Sequence, residues 1–154
     1  MKMRLKYPAC LLPNLWTLHN DWRNMGVSLN MPAAPVQLDA NMGWVNAVQE
    51  MLLYVSPKLV KLLPALPAKW RRGKAENWRF CTGRVTMEWD LDSGRFAAEL
   101  FAERETSIVL RLPEQFPSCT FSGEGQYRLE NMDGKSRYKV NMSKGAALSV
   151  RNGV

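Results

Sequence analysis

The sequence predicts a mainly β protein, an antiparallel β-sandwich-like C-terminal domain preceded by an irregular segment and one α-helix. Three observations carry that expectation. Beyond Trp70, short runs of alternating apolar and polar residues recur every eight to twelve residues or so, the spacing of a sandwich built from hairpins. Only between Asn41 and Val55 do apolar residues recur at the three- and four-residue spacing of an amphipathic helix. Residues 1 to 38 hold Pro8, Pro13, Pro32 and Pro35 and sustain neither period.

Taken in order, the first segment is long for a stretch without regular structure inside a compact domain. Tyr7, Leu15, Trp16, Trp22 and Met25 are nonetheless too apolar for a free tail, so part of it is expected to pack. In the helix, Trp44, Val45, Val48, Met51, Leu52 and Val55 form one stripe. Asp39 or Asn41 can cap its start, because a short polar side chain accepts a hydrogen bond from the unpaired backbone donors there. Ser56-Pro57 is expected to end it, since the residue before proline avoids the helical region and proline has no donor. Residues 57–76 then read as a junction, and 77–154 as the sandwich. Within it, strands are expected at Arg84 to Trp89, around Arg95 to Phe101, and at Ser107 to Leu112. Shorter ones follow near Thr120-Phe121, Gln126 to Glu130, Ser136 to Asn141 and Ala147 to Val150. Asp90-Leu91-Asp92-Ser93-Gly94 is a turn. Asp133-Gly134 carries the dipeptide of a tight hairpin.

Composition bounds the function. With 154 residues, 46% apolar and 23% charged, the chain buries a core without disulfides or metal. Its most apolar stretch, Leu59 to Ala68, is broken by Lys61, Pro64 and Pro67, so no membrane span is expected. Lys and Arg outnumber Asp and Glu by 21 to 14, a net +7. Those charges are scattered apart from Lys69-Trp70-Arg71-Arg72-Gly73-Lys74, and no nucleic-acid motif accompanies them, so no specific nucleic-acid partner is expected. Cys10, Cys81 and Cys119 are far apart and His19 is the sole histidine, a set that makes no zinc pattern; neither metal nor cofactor is expected. The opening Met-Lys-Met-Arg-Leu-Lys-Tyr-Pro lacks the apolar run of a signal peptide, and the compartment is left unassigned.

Specific motifs carry a resemblance. Gln37-Leu38-Asp39-Ala40-Asn41-Met42-Gly43, followed by Glu50-Met51-Leu52-Leu53, is similar to the Q-[IL]-D-[GA]-N-x-G…E-M-L-L signature of glycoside hydrolase family 95, which contains α-L-fucosidases and some α-galactosidases. The run Leu62-Leu63-Pro64-Ala65-Leu66-Pro67, with Trp70 and Gly73, resembles the family's L-L-P-A-L-P-x-x-W-x-x-G. Trp78 to Val85 and Glu88-Trp89 resemble its next block, and Leu12-Pro13-Asn14-Leu15 its upstream Y-P-N-L. Order and spacing hold from Gln37 to Phe96. Trp78 replaces a leucine, Cys81-Thr82-Gly83-Arg84 replaces R-G-G-F, and Met42 replaces an aromatic. The resemblance implies that residues 1–56 are the end of an (α/α)6 barrel whose last helix is 41–55, and that 77–154 is the β-domain after it.

The resemblance also implies an inverting hydrolysis of α-L-fucosides or α-galactosides, which needs an acid on the leaving oxygen and a positioned water on the opposite face. Asp39 matches the aspartate that orients and activates that water; the acid and the water-binding asparagines belong to barrel segments absent from this chain, so the chain alone is expected to be inactive. Asn41 either touches sugar or caps the helix. His19, among Trp16 and Trp22, either overlies a sugar pocket or packs. The expected partners are the rest of such a glycosidase, its N-terminal β-domain and helical barrel, with a glycan and self-association as further ones; the parent family is often secreted or periplasmic. A stand-alone carbohydrate-binding module is the alternative. An enzyme assembled from separate chains, with Asp39 donated by this one, is a third reading.

Overall fold

A computed structural model describes residues 38 to 152, with side chains in the helix from residue 42 onward. The chain divides into two compact units, Met1–Val48 and Gln49–Val154. Elements run in the order α1 (Leu38–Leu52), β1 (Leu53–Ser56), β2 (Leu59–Leu62), β3 (Arg72–Phe80), β4 (Gly83–Asp90) and β5 (Arg95–Ala102). They continue with β6 (Thr106–Arg111), β7 (Thr120–Glu124), β8 (Tyr127–Asn131), β9 (Arg137–Met142) and β10 (Ala147–Asn152).

Two five-stranded sheets result, ordered β1-β2-β6-β9-β8 and β3-β4-β5-β10-β7, and every pairing is antiparallel except β2 with β6. The mainly β, sandwich-like fold expected from the alternation is the fold observed. Burial follows the pleat: along β4, Val85, Met87 and Trp89 are buried while Arg84 and Glu88 are exposed. Val85, Leu100, Leu110, Val140, Leu148 and Val150 are wholly removed from water and belong to one apolar cluster fed by both sheets. Each such side chain contributes about 1.5–3 kcal/mol of transfer free energy. Phe121 of β7 meets Tyr138 of β9 across the layers, ring centroids 4.6 Å apart. Thr106 is the one buried polar residue among those described, and its hydroxyl lies 2.8 Å from that of Thr82 and 2.9 Å from the Arg104 carbonyl.

Three expectations are corrected. The helix was placed at 41–55 but runs Leu38–Leu52, and Leu53–Ser56 is a strand. Leu53 and Val55 pair with Leu62 and Val60 in a hairpin closed by Pro57-Lys58, which hides Leu53, Val60 and Leu62. A continuous apolar run satisfies a helical and an extended pattern equally, and here tertiary pairing decides. The supposed junction 57–76 holds β2 and the start of β3, so the sandwich strands begin before residue 77. The Asp133-Gly134 turn is wider than a two-residue hairpin. Asn131 pairs with Tyr138, and Asp133 Oδ1 accepts from the backbone N–H groups of Lys135, Ser136 and Arg137 at 2.9, 3.0 and 3.0 Å.

The Leu-Leu-Pro-Ala segment has a structural task. Helix ends leave carbonyls without partners. Here the Leu63 N–H donates to the Leu52 carbonyl at 2.7 Å and the Ala65 N–H to that of Met51 at 3.1 Å. Reaching them puts fully buried Leu63 at φ 47°, a region costly for a non-glycine residue.

Edge strand β3 is fastened by a second joint. Gly73 lies opposite Trp89, and a Cβ on it would fall 2.2 Å from the indole ring. The indole therefore occupies the place a side chain would take, and its Nε1–H donates to the Trp70 carbonyl at 2.9 Å. Overpacking of this kind costs about 1–3 kcal/mol. Gly73→Ala is expected to lower the unfolding free energy by that much, read as a lower urea midpoint at unchanged slope, and by much less in a Trp89→Phe background. Equal losses in both backgrounds would show that the ring is not what Gly73 accommodates.

Candidate functional site

The residues singled out in the sequence are not assembled into a site by the described part of the chain. Asp39 and Asn41 are the second and fourth residues of α1, so the helix starts ahead of both and neither is its cap residue. A carboxylate in a first helical turn still meets the positive end of the helix dipole. The side chains of Asp39 and Asn41, and all of His19, lie outside the described residues. Further along the helix Met42 is 64% exposed and Val45 51%.

What the structure does assemble lies at one end of the β3-β4-β5-β10-β7 sheet, on its outer face. The turn Asp90 to Gly94 organises it. Asp90 ends β4 and pairs with Arg95, which begins β5, while Gly94 turns the chain at φ 67°. Asp90 Oδ1 accepts from the backbone N–H groups of Asp92 at 2.8 Å and Ser93 at 3.1 Å. Its Oδ2 faces Arg72 Nε at 3.2 Å and an Arg95 terminal nitrogen at 3.8 Å. Arg71 forms an ion pair with Asp92, and Arg72 Nε lies 3.6 Å from the same carboxylate. The dense basic run thus closes on the acidic turn through two of its arginines. Desolvation pushes the Asp90 carboxyl up, but the Ser93 N–H and hydroxyl, the Asp92 N–H and Arg72 outweigh it and bring it down to about 2.

Beside this turn is an open depression of about 630 Å³. The outward residues in two neighbouring rows are Arg72, Asp90 and Arg95, then Lys74, Glu88, Ala97 and Arg151, side by side across β3, β4, β5 and β10. Asn152 braces the rim: its amide nitrogen donates to the Gly94 carbonyl at 2.9 Å, and its side-chain oxygen accepts from the Phe96 N–H. The residues of this rim were missed at the sequence level. Arg151, Ala97, Glu88 and Lys74 are neighbours only through strand register, and no spacing along the chain signals that.

The other sheet carries a second, more open depression of about 720 Å³ at one end, where the Ser107 hydroxyl lies 2.7 Å from Asn141 Oδ1 beside Tyr127 and Arg128.

With this geometry in place, comparison adds one relation. The chain is 44% identical over 92 residues to Alpha-L-fucosidase 2 of Arabidopsis thaliana, a match that takes in 56% of this chain and 11% of that protein. No family model matches the chain. The chain therefore has a fucosidase relative, and it spans about a ninth of that relative's length.

The acidic turn generates a pH test. Asp90 titrates lower in the folded protein, at about 2 against an ordinary 3.8, so its contribution is complete above the unfolded value and disappears as pH falls through the folded one. Thermal midpoints of the wild type are expected to fall between about pH 4 and pH 2 more steeply than those of Asp90→Asn. Parallel curves for the two would show that Asp90 is not a source of the acid sensitivity.

Proposed function

We propose that this chain is the C-terminal accessory domain of a glycoside hydrolase resembling family 95, acting on α-L-fucosides or α-galactosides by inversion and inactive by itself. The 44% identity to an α-L-fucosidase is the observation that carries the reading. The described motif residues support the accessory role, because they build joints. Leu63 and Ala65 satisfy the end of α1, while Gly73, Trp70 and Trp89 fasten β3.

In this reading α1 is the last helix of a helical barrel, and its exposed Met42 and Val45 are covered by neighbouring barrel helices or by a second copy of the chain. Asp39 supplies one element of the reaction: it holds the asparagine that positions water on the face opposite the leaving group. The general acid and that asparagine come from the rest of the enzyme. An inverting site needs its groups set apart far enough to admit the water, which accounts for their origin on different helices.

The pure chain is expected to release no aryl alcohol from aryl α-L-fucosides or α-galactosides above background, since an acid/base system lacking a partner retains only residual catalysis. Added to the remainder of the Arabidopsis relative, prepared without its matching segment, the chain is expected to restore fucoside hydrolysis. In that reconstituted enzyme Asp39→Ala lowers turnover by orders of magnitude, because the water is no longer positioned. Turnover by the chain alone that Asp39→Ala abolishes would overturn the accessory reading. A reconstituted enzyme indifferent to Asp39→Ala would remove the catalytic role.

A further inference from the structure

We propose that the outer face of the β3-β4-β5-β10-β7 sheet binds an acidic saccharide, a pyranose ring bearing a carboxylate, seated over Ala97 between Glu88 and Arg151. The site uses none of Asp39, Asn41 or His19 and is independent of the hydrolase reading.

Register supplies the frame. Glu88, Ala97 and Arg151 stand in one row on adjacent strands. Adjacent strands are about 4.8 Å apart, so the flanking positions are separated by about 10 Å, with only a methyl group between them. That leaves a slot of roughly one sugar ring's width, floored by Ala97 and walled by two long side chains. Arg95 precedes Ala97 on the same face of β5, and Glu99 follows it.

The charges in the slot differ in how far they are already engaged. Asp90 is saturated by two backbone donors and two arginines. Lys74 makes its ion pair with Glu76 and meets Glu88 only by longer-range attraction. Arg95 uses Nε on the Ser93 hydroxyl at 3.0 Å and one terminal nitrogen on Asp90 at 3.8 Å, which leaves its other terminal N–H groups for a further acceptor. Arg151 has no side-chain partner among the described residues. Around Ala97 the groups open to a ligand are therefore the Arg151 guanidinium and the remaining terminal N–H groups of Arg95, which donate, and one carboxylate, Glu88, that accepts.

This set selects a ligand. A neutral sugar offers Glu88 its hydroxyls but leaves the Arg151 guanidinium without an anion. An inorganic anion suits the guanidiniums, in the paired geometry arginine favours, and is repelled by Glu88. A ring with a carboxylate on one side and hydroxyls on the other meets both demands. The acidic far end at Glu99 turns that carboxylate toward Arg95 and Arg151.

The experiment is calorimetric titration of the whole chain with trigalacturonate, with its methyl ester and with sodium sulfate. The acid is expected to bind, and the ester at least about tenfold more weakly, as suits the loss of a charge-assisted hydrogen bond. Arg151→Ala and the milder Arg151→Gln are expected to weaken the acid by about the same factor. Glu88→Ala decides between a saccharide site and a bare anion site: it is expected to weaken trigalacturonate, whereas it would strengthen binding governed by charge alone. Lys139→Ala, on the outer face of the other sheet, is expected to change nothing. Equal binding of acid and ester, tighter or unchanged binding by Glu88→Ala, or a loss in Lys139→Ala matching that in Arg151→Ala would each overturn the proposal.

Discussion

The fit of β3 against β4 at its start depends on the indole of Trp89 lying where Gly73 has no side chain. β3 is an edge strand, exposed along much of its length, with a bulge between Ala75 and Trp78. The ladder to β4 and the buried Ala75 and Phe80 hold it to the sheet, and close contacts near its start fix the local fit. The ring over Gly73 and the hydrogen bond to the Trp70 carbonyl are two of them. Through β3, that joint holds Arg72 and Lys74 beside Asp90 and Glu88, and with them the wall of the groove. A core residue thus sets the geometry of a charged surface on the opposite face of its own strand.

The same joint gives a physical reading of the stretch resembling family 95. Trp70, Gly73 and Trp89 are separated along the chain but meet at one place, the Trp89 indole against Gly73 and the Trp70 carbonyl. Leu63 and Ala65 form a similar unit with Met51 and Leu52. These positions are tied together by helix-end satisfaction and by close ring packing, and neither demand is chemical in the catalytic sense.

The sandwich was legible wherever one face of a strand is buried and the other is wet, because that asymmetry writes alternation into the sequence. Strands β4, β5 and β6 fall within a residue or two of their expected limits. β1 was concealed, because Leu53, Tyr54 and Val55 prolong the helical apolar run and only the partners Val60 and Leu62 distinguish strand from helix. β3 was concealed for the opposite reason. Its Arg72, Lys74, Glu76 and Arg79 read as a solvated charged segment, which is how an edge strand protects itself. The groove was invisible because its rows are assembled by register over more than fifty residues, from Lys74 to Arg151. Asp39 and Asn41 are marked as site residues by motif alone; the local physical signal at both, a short polar side chain ahead of the apolar run, points to a cap, and the helix already includes them from Leu38.

Strand β10 lies between β5 and β7 and forms both ladders at once. β7 has no other partner in its sheet, so the sheet stays split until β10 is in place. Non-local closures of this kind are the slow steps of β folding. While that gap is open, β5 and β7 present two facing edges of the right register and polarity for a strand of this sequence. A β10 supplied by a neighbouring chain fits them as well as the molecule's own. An intertwined dimer formed by exchanging β10 would keep every native hydrogen bond of the sheet.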